Sequence, residues 1–267
     1  MNNYVNFEEA IKAIHLEFKS NSEKVHTEKW QGVDISKRPE ARMFELLNYN
    51  FSVPLIVEDL EIYRQDIKPN LPWADDHFLE RVCGEPLNPG EQWAKWPWGN
   101  HADKFRDESG KFNHNYMERY WPKFAGNNYY SGAENYCDAN KGIRYDYGDL
   151  RDLINHLNDQ PQTRQAYLPI FFPEDTGSVH GGRVPCSLGY HFIYRRGFLH
   201  INYYLRSCEV YRHFRDDCYL TVRLLLWVLE ELRKKNAFWN SVSPGTYSMY
   251  ITSFHCFVND MRLLDEN

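Results

Sequence analysis

The sequence lacks the features that define several large classes of protein. Its six cysteines lie at wide, irregular spacings without a CxxC pair, so they indicate neither a zinc site nor a disulfide framework. No apolar run approaches the roughly 20 residues of a membrane-spanning helix, and the N-terminus has no basic start followed by an apolar core. A formal net charge of −6 gives no basic excess for coating nucleic acid. We therefore expect a cytoplasmic protein that binds neither membranes nor nucleic acid polymers.

Repeats, low-complexity segments and interdomain linkers are also missing. A chain of 267 residues with 42% hydrophobic content is long enough to bury a sizeable core, and we expect a single domain over residues 1–267. Aromatic residues make up 16% of the chain, a share that suits both a core and a site that stacks flat rings.

Hydrophobic periodicity predicts helices and strands that follow one another irregularly, which is typical of an α+β fold with a large mixed or antiparallel sheet. Pro54 places the first long strand at an edge or a strand start, and PGTY predicts a turn before the last strand. The predicted helices are 7–20, 75–83, 149–158 and 218–235, and the predicted strands are 51–57, 166–172, 197–205 and 248–257. The segment IYRR before the strand at 197–205 also predicts antiparallel strands joined by a turn at Arg195, Arg196 and Gly197.

The stretch from residue 183 to residue 226 concentrates the chemistry. It contains a Cys after a Pro, an Arg-Ser pair and an acidic pair that opens a long apolar helix. PCSLGYHF, YYLRSCEV, LTVRLLLWVLEEL, PGTY and SFHCF resemble, in order and spacing, segments of the thymidylate synthase family, and DLRDLINHLNDQPQTR and HNYMERYW extend the resemblance upstream. The resemblance implies a thymidylate synthase fold, with a large sheet, a long buried helix and a homodimer formed through the sheet.

In this family the Pro-Cys segment carries the nucleophile, which corresponds to Cys186. A thiolate that adds to C6 of a pyrimidine makes C5 nucleophilic, which divides one difficult step into two easier ones. We expect the neighbouring Arg206 to lower the pKa of this thiol.

The resemblance also implies a phosphate clamp. Arg206 and Ser207 form its local part, and Arg164 reaches it across the dimer interface. Bidentate arginines suit a phosphate dianion, so a pyrimidine nucleoside monophosphate is the expected substrate.

Two departures from the family pattern bear on the phosphate and the sugar. Gln165 stands where a second Arg is usual, so Arg38 or Arg42 is expected to take over that contact. His255 corresponds to the sugar-hydroxyl ligand, but Phe257 replaces its usual Tyr partner and loses one hydroxyl contact. The sequence leaves ribose and deoxyribose open.

Two further departures bear on the base. Asp217 stands where the family has an Asn that reads the C4 carbonyl and N3 of uracil, and Ser187 replaces a His near that carbonyl. Cytosine offers an amino donor at C4 and a ring nitrogen that an acid can protonate. The FRDD segment also resembles the FRND-type segment of the dCMP hydroxymethylases.

Glu80 is the sequence candidate for the residue that activates water and protonates the cofactor, with Asp76 as the alternative. Both are acidic residues of the short helix at 75–83.

Tyr116 resembles the folate-binding Tyr of the family. With the Trp cluster at Trp93, Trp96 and Trp98 it is expected to stack the rings of 5,10-methylenetetrahydrofolate.

The sequence thus predicts a C5 hydroxymethyltransferase of dCMP or CMP that uses 5,10-methylenetetrahydrofolate and water. A C5 methylase of dUMP, dCMP or CMP remains open, because the sequence does not show whether water or hydride completes the reaction. A nucleotide-binding or RNA-binding protein without catalysis is the alternative from another class.

Overall fold

The computed structural model describes residues 1–30, 33–96, 106–124, 148–176 and 183–265, and Trp98 and Cys137 lie outside these ranges. Its helices are α1 (Phe7–Asn21), α2 (Leu60–Ile67), α3 (Trp73–Arg81), α4 (Glu91–Ala94), α5 (Tyr116–Tyr120), α6 (Leu150–Asp159) and α7 (Phe214–Lys235). Its strands are β1 (Asn2–Asn3), β2 (Glu23–Val25), β3 (Lys29–Trp30), β4 (Val33–Asp34), β5 (Met43–Pro54), β6 (Tyr167–Pro169), β7 (Ser187–Arg195), β8 (Phe198–Glu209) and β9 (Ser243–Phe257).

Seven strands form one sheet in the order β1-β5-β9-β8-β7-β6, with β2 also paired to β5. The long strands β8 and β9 run parallel, whereas β5 runs antiparallel to β9 and β7 runs antiparallel to β8. The sheet is therefore mixed, which confirms the predicted α+β class and is consistent with a thymidylate synthase-like fold.

Helix α7 covers the centre of this sheet. Leu224, Leu225 and Val228 are fully buried, because the helix is apolar on most sides and lies between the sheet and other helices. Burial of each such side chain contributes about 1.5–3 kcal/mol. A Leu225→Ala change would remove part of this and leave a cavity, at a cost of roughly 2–5 kcal/mol. The helix thereby fixes its first turn relative to the strand ends of the sheet.

The turn between β7 and β8 lies where the sequence predicts it. Arg196 and Gly197 have φ values of 51° and 84°. Positive φ at both central residues is the conformation that matches the twist of a two-residue hairpin, and Gly adopts it without a Cβ penalty. The hairpin brings the start of β7 beside the end of β8, as the pairing of Ser187 with Leu205 shows.

Three predicted boundaries need correction. Pro54 is the last residue of β5, and this strand has partners on both sides, so it is neither at the sheet edge nor at a strand start. The PGTY segment is the first part of β9 rather than a turn, with the Thr246 N–H donating to His200 Nδ1 at 2.9 Å beside an irregularity in the register. Helix α7 begins at Phe214, which places Asp216 and Asp217 in its first turn.

The face of the sheet turned away from α7 is partly exposed in the single chain. Tyr204 and Tyr250 stack on it with ring centroids 5.0 Å apart, and Leu47 is 66% exposed nearby. This is the face through which the resemblance implies dimer formation. No helix in the described ranges has the length and apolar character needed to cross a membrane.

Candidate active site

A cavity of about 530 Å³ lies between α3, the first turn of α7 and the ends of β8 and β9. Its size falls within the range of roughly 300–1,000 Å³ that small-molecule sites occupy. The predicted site residues that line it are Cys186, Arg206, Ser207, Asp217, His255, Tyr116, Trp93 and Trp96.

Cys186 lies directly before β7, next to an irregularity in the β7–β8 register between Ser187 and Gly189. Bulges next to a site often re-aim a side chain, and here the thiol faces the cavity. Burial raises the pKa of Cys186, and although Arg206 and Arg183 lower it, the net direction is upward. This corrects the expectation of a lowered thiol pKa, because desolvation outweighs the nearby cations.

Arg206 contacts both the Cys186 side chain and the backbone before it. Its Nη2 lies 3.9 Å from Cys186 Sγ, and its Nε and Nη2 donate to the carbonyls of Pro185 and Val184 at 2.8 and 3.1 Å. These bonds hold the guanidinium and the Pro-Cys segment in one arrangement. A cation fixed in this way is available to an anionic ligand in the cavity.

Ser207 and His255 lie on adjacent parallel strands, and their side chains meet at a distance of 3.3 Å between Ser207 Oγ and His255 Nδ1. Burial lowers the pKa of His255 to about 4, so the imidazole is neutral at physiological pH. Glu45, directly opposite His255 in the sheet, also lines the cavity and accepts a hydrogen bond from Ser253. This end of the cavity is rich in hydrogen-bond acceptors, which suits hydroxyl groups.

Asp217 faces the cavity from the first turn of α7, where Cys208 Sγ donates to its Oδ2 at 3.7 Å. Burial raises the pKa of Asp217 to about 7, with Arg81 lowering it and Asp216 raising it further. The carboxyl group is therefore divided between its neutral and ionised forms near neutral pH, which suits a group that exchanges a proton.

Tyr116 lines the cavity and belongs to a cluster of tyrosines around Ser187. Ser187 Oγ donates to the Tyr116 hydroxyl at 3.0 Å and also bonds Tyr203, which stacks on Tyr190 with centroids 4.4 Å apart. The hydroxyl groups of Tyr116 and Tyr203 lie around Ser187, at the position where the thymidylate synthase family, which the sequence resembles, has a histidine.

Trp93 and Trp96 also line the cavity, and their ring centroids are 5.4 Å apart. Trp96 also stacks on His213 at 4.5 Å and 20°. Burial lowers the pKa of His213 to about 3, so this ring is neutral as well. Flat neutral rings of this kind are a surface on which a heteroaromatic ligand can stack.

Some predicted residues lie outside the cavity. Glu80 is buried behind His77, and its carboxylate accepts from the Gln92 N–H at 3.1 Å. The side chains of Asp76, Arg38 and Arg164 are exposed at the surface of the chain. The remaining candidates of the same kind, Arg42 and Gln165, are exposed too.

Sequence reasoning missed several titratable residues that line the cavity, among them His77, Arg81, Glu209 and His213. Glu209 is 4% exposed, and its Oε1 has no hydrogen-bond partner among the described residues. Burial raises the pKa of Glu209 to about 8. The position of Glu209 in the alternating pattern of β8 gives no sign of this, because burial of both faces at the strand end is a tertiary effect.

The mixed sheet, the long buried helix and the cavity at the strand ends are consistent with a thymidylate synthase-like fold. No model of a known protein family matches the chain. A deoxyuridylate hydroxymethyltransferase from Bacillus phage SP01 is 26% identical to it over 167 residues, which are 61% of this chain and 38% of that protein. The chain thus matches well under half the length of this relative. The likeness supports a relation to the thymidylate synthase-like superfamily.

Proposed function

We propose that the protein transfers a hydroxymethyl group to C5 of a pyrimidine nucleotide, dCMP or CMP, using 5,10-methylenetetrahydrofolate and water. The observation that carries this proposal is that Cys186, Arg206 and Asp217 face one cavity, although they come from three different elements. A nucleophile, a cation and a proton-exchanging acid are the groups that the reaction requires.

Cys186 adds to C6 of the base. The new S–C6 bond takes the place of the C5=C6 π bond, whose electron pair moves toward C4 and N3. Because burial raises the pKa of this thiol, its proton must leave before or during the addition. Arg206, whose Nη2 is 3.9 Å from the sulfur, stabilises the thiolate once it forms.

Asp217 supplies a proton to N3 as this electron pair arrives. A pKa of about 7 allows the group to be neutral in the free protein and ionised after the transfer. The carboxylate then accepts from the C4 amino group and from the protonated N3, which forms a charge-assisted pair.

The phosphate and the sugar are assigned to the two polar sides of the cavity. Arg206 and Ser207 hold the phosphate, with Arg164 contributed by a second copy of the chain in a homodimer. His255 holds a sugar hydroxyl. The support for this arrangement is the contact between Ser207 and His255 on adjacent strands, together with the exposed position of Arg164 in the single chain.

The cavity residues fit a folate. Trp93, Trp96 and Tyr116 offer ring faces, and the unpartnered Oε1 of Glu209 is an acceptor for ring N–H groups in a buried setting. When bound, this cofactor supplies the one-carbon unit. The chain's own contribution is to hold the ring system beside C5 and to exclude bulk water.

Uridylate is the second candidate substrate, and one observation favours it, because the phage relative is named as acting on deoxyuridylate. A neutral carboxyl at Asp217 also has a donor and an acceptor, as uracil requires. A C5 methyl product is the second candidate outcome with either base.

The test is to incubate the full chain with methylenetetrahydrofolate and each of dCMP, CMP, dUMP and UMP, and to identify the products by mass spectrometry. The expected product carries one CH₂O unit more than the cytidylate substrate. A Cys186→Ala protein is the control and should form none. Saturable nucleotide binding without any product from any substrate would instead identify a binding protein and refute the proposal.

A further inference from the structure

Helix α3 places three polar side chains in one hydrogen-bonded series. Arg81 Nε donates to His77 Nε2 at 2.9 Å, so this nitrogen is unprotonated and Nδ1 carries the ring proton. His77 Nδ1 in turn donates to Glu80 Oε2 at 3.3 Å. Residues three and four positions apart are neighbours on a helix, which explains why one short segment can hold the whole series. We call His77, Glu80 and Arg81 the α3 triad.

The α3 triad is almost completely desolvated. Arg81 is 5% exposed and His77 is 1% exposed, and the Glu80 side chain is 8% exposed. An isolated buried guanidinium is strongly unfavourable, so the Glu80 carboxylate on the far side of the imidazole compensates its charge. Within the described ranges, no carboxylate forms a direct ion pair with Arg81. Its positive charge therefore remains directed to the cavity that it lines.

Aromatic contacts hold the α3 triad in place. The His77 ring stacks on Trp73 at 4.8 Å and 17°, and the Arg81 guanidinium lies 4.5 Å from the centroid of the Tyr116 ring. A cation over a ring face is attracted by the negative face of the ring, and the attraction is strongest in a desolvated site. Arg81 is thus preorganised, because neither its partner nor its stacking surface must move.

Glu80 acts on the cavity only through His77. Its Oε1 accepts from Gln92 N, and a Cβ on Gly90 would lie only 2.1 Å from its carboxyl carbon, so the 90–92 segment closes over it. Glu80, which the sequence suggested for direct acid–base catalysis, is therefore not among the residues that line the cavity. It can orient His77 and neutralise the triad.

Asp217 is the acid on which the Arg81 charge acts. Arg81 is the cation that favours its ionised form, against burial and the charge of Asp216 on the same helix. The titratable groups that interact with Asp217 from the surrounding elements are Arg81, Asp216, Cys208, Cys186, Tyr116, Tyr203, Cys218 and Tyr247. Among these groups Arg81 is the cation, so it favours the ionised carboxylate while the others are neutral or negative.

We propose that Arg81, held in place by His77 and Glu80, is a positioning residue that stabilises the Asp217 carboxylate as Asp217 gives its proton to the pyrimidine. This inference rests on the proposed function. In the step concerned, the S–C6 bond forms at Cys186, the C5=C6 pair becomes the C4=C5 bond, the C4=N3 pair moves to N3, and N3 takes the proton from Asp217. The carboxylate that remains is attracted by the fixed guanidinium, which lowers the barrier without contact between Arg81 and the reacting atoms.

The first measurement needs no substrate. The carboxyl carbon of Asp217 in the full chain is titrated by ¹³C NMR, with its signal assigned by its loss in Asp217→Asn. We expect Arg81→Gln to raise the titration midpoint by about 1–3 pH units, because an opposite charge is removed. Arg81→Lys should keep most of the wild-type value. Glu80→Gln should lower the midpoint slightly, because it removes the negative charge that offsets Arg81, and it gives a result even if Arg81→Gln does not fold.

A matched control is Arg223→Gln. Arg223 lies on the same helix as Asp217, but it is ion-paired with Asp75 outside the cavity, so its removal should leave the midpoint unchanged. An Asp217 midpoint that does not move in Arg81→Gln and Glu80→Gln would overturn the inference. A midpoint that moves as expected in a protein that turns over no nucleotide would support the inference and refute the proposed function.

The second measurement is a double-mutant cycle on kcat/KM. Arg81→Gln should lower kcat/KM for the preferred nucleotide by about 100-fold in the wild-type background, which corresponds to roughly 2.7 kcal/mol. In the Asp217→Asn background the same change should cost less than about tenfold, because Asn carries no charge for Arg81 to stabilise. Equal losses in both backgrounds would show that Arg81 is merely structural.

Discussion

Asp217 decides the choice of base in the proposed reaction, and Asp217→Asn is the perturbation that tests it. A buried hydrogen-bonding group left without its partner costs roughly 1–3 kcal/mol, and more when it is charged. An ionised Asp217 can accept from the C4 amino group and a protonated N3 of cytosine, whereas the C4 carbonyl of uracil offers it no donor. We therefore expect kcat/KM for cytidylate to exceed that for uridylate by at least about a hundredfold, which corresponds to roughly 2.7 kcal/mol. Asp217→Asn should shift this ratio toward uridylate.

The pH dependence of kcat/KM is an independent test of the role of Asp217. The productive state has a neutral Asp217 and an ionised Cys186. Below pH 7 its population rises tenfold per pH unit, because Asp217 stays neutral while the thiol ionises. Above the Asp217 pKa of about 7 the profile becomes flat, because loss of the Asp217 proton offsets the gain in thiolate until the thiol itself is ionised. In Asp217→Asn the break near pH 7 should disappear.

The assay is kcat/KM for both nucleotides from pH 5.5 to 9 in the wild type and the variant. Asp216→Asn is the control, since Asp216 accepts from the Asn70 backbone N–H and side chain, both at 2.8 Å. It should keep the base ratio and move the break to lower pH, because the negative charge of Asp216 raises the pKa of Asp217. A wild type that prefers uridylate, or a ratio that Asp217→Asn leaves unchanged, would refute the reasoning.

Three further predictions follow from single side chains. Cys186→Ala should abolish tritium release from C5 of the substrate while nucleotide affinity changes little, and substantial residual release would exclude Cys186 as the nucleophile. Mixing Arg164→Ala with Cys186→Ala protein should restore activity by forming one complete site per heterodimer, and no recovery despite demonstrated subunit exchange would make Arg164 a local surface residue. In urea unfolding, Glu209→Gln should raise the free energy of unfolding relative to wild type, and this gain should be about 2–4 kcal/mol larger at pH 8 than at pH 5. The reason is that the native state holds the Glu209 proton up to a pKa of about 8, so wild-type stability falls as pH rises from about 4 to 8; an equal difference at both pH values would contradict it.

The local pattern of the sequence was enough to predict the helices α1, α3, α6 and α7 and parts of the strands β5, β6, β8 and β9. The helix at 149–158 was predicted from its apolar spacing, and it forms at Leu150–Asp159 with Asp149 as its N-cap. The turn at Arg196 and Gly197 followed from a strand break that contains Gly. Order and spacing also linked Cys186 and the Arg-Ser pair, because Cys186 directly precedes β7 and the pair lies near the end of β8 in the same hairpin.

What the sequence could not show is which charged groups become desolvated together. Glu80 was selected because it follows two apolar residues, whereas packing against Gln92 turns it away from the cavity and leaves His77 and Arg81 facing it. The pKa of Cys186 was expected to fall because of one nearby cation, but burial outweighs that cation. Local pattern and order along the chain are properties of the sequence by itself. Burial and the direction of a side chain are decided only by the tertiary structure, because each depends on atoms that lie far apart in the sequence.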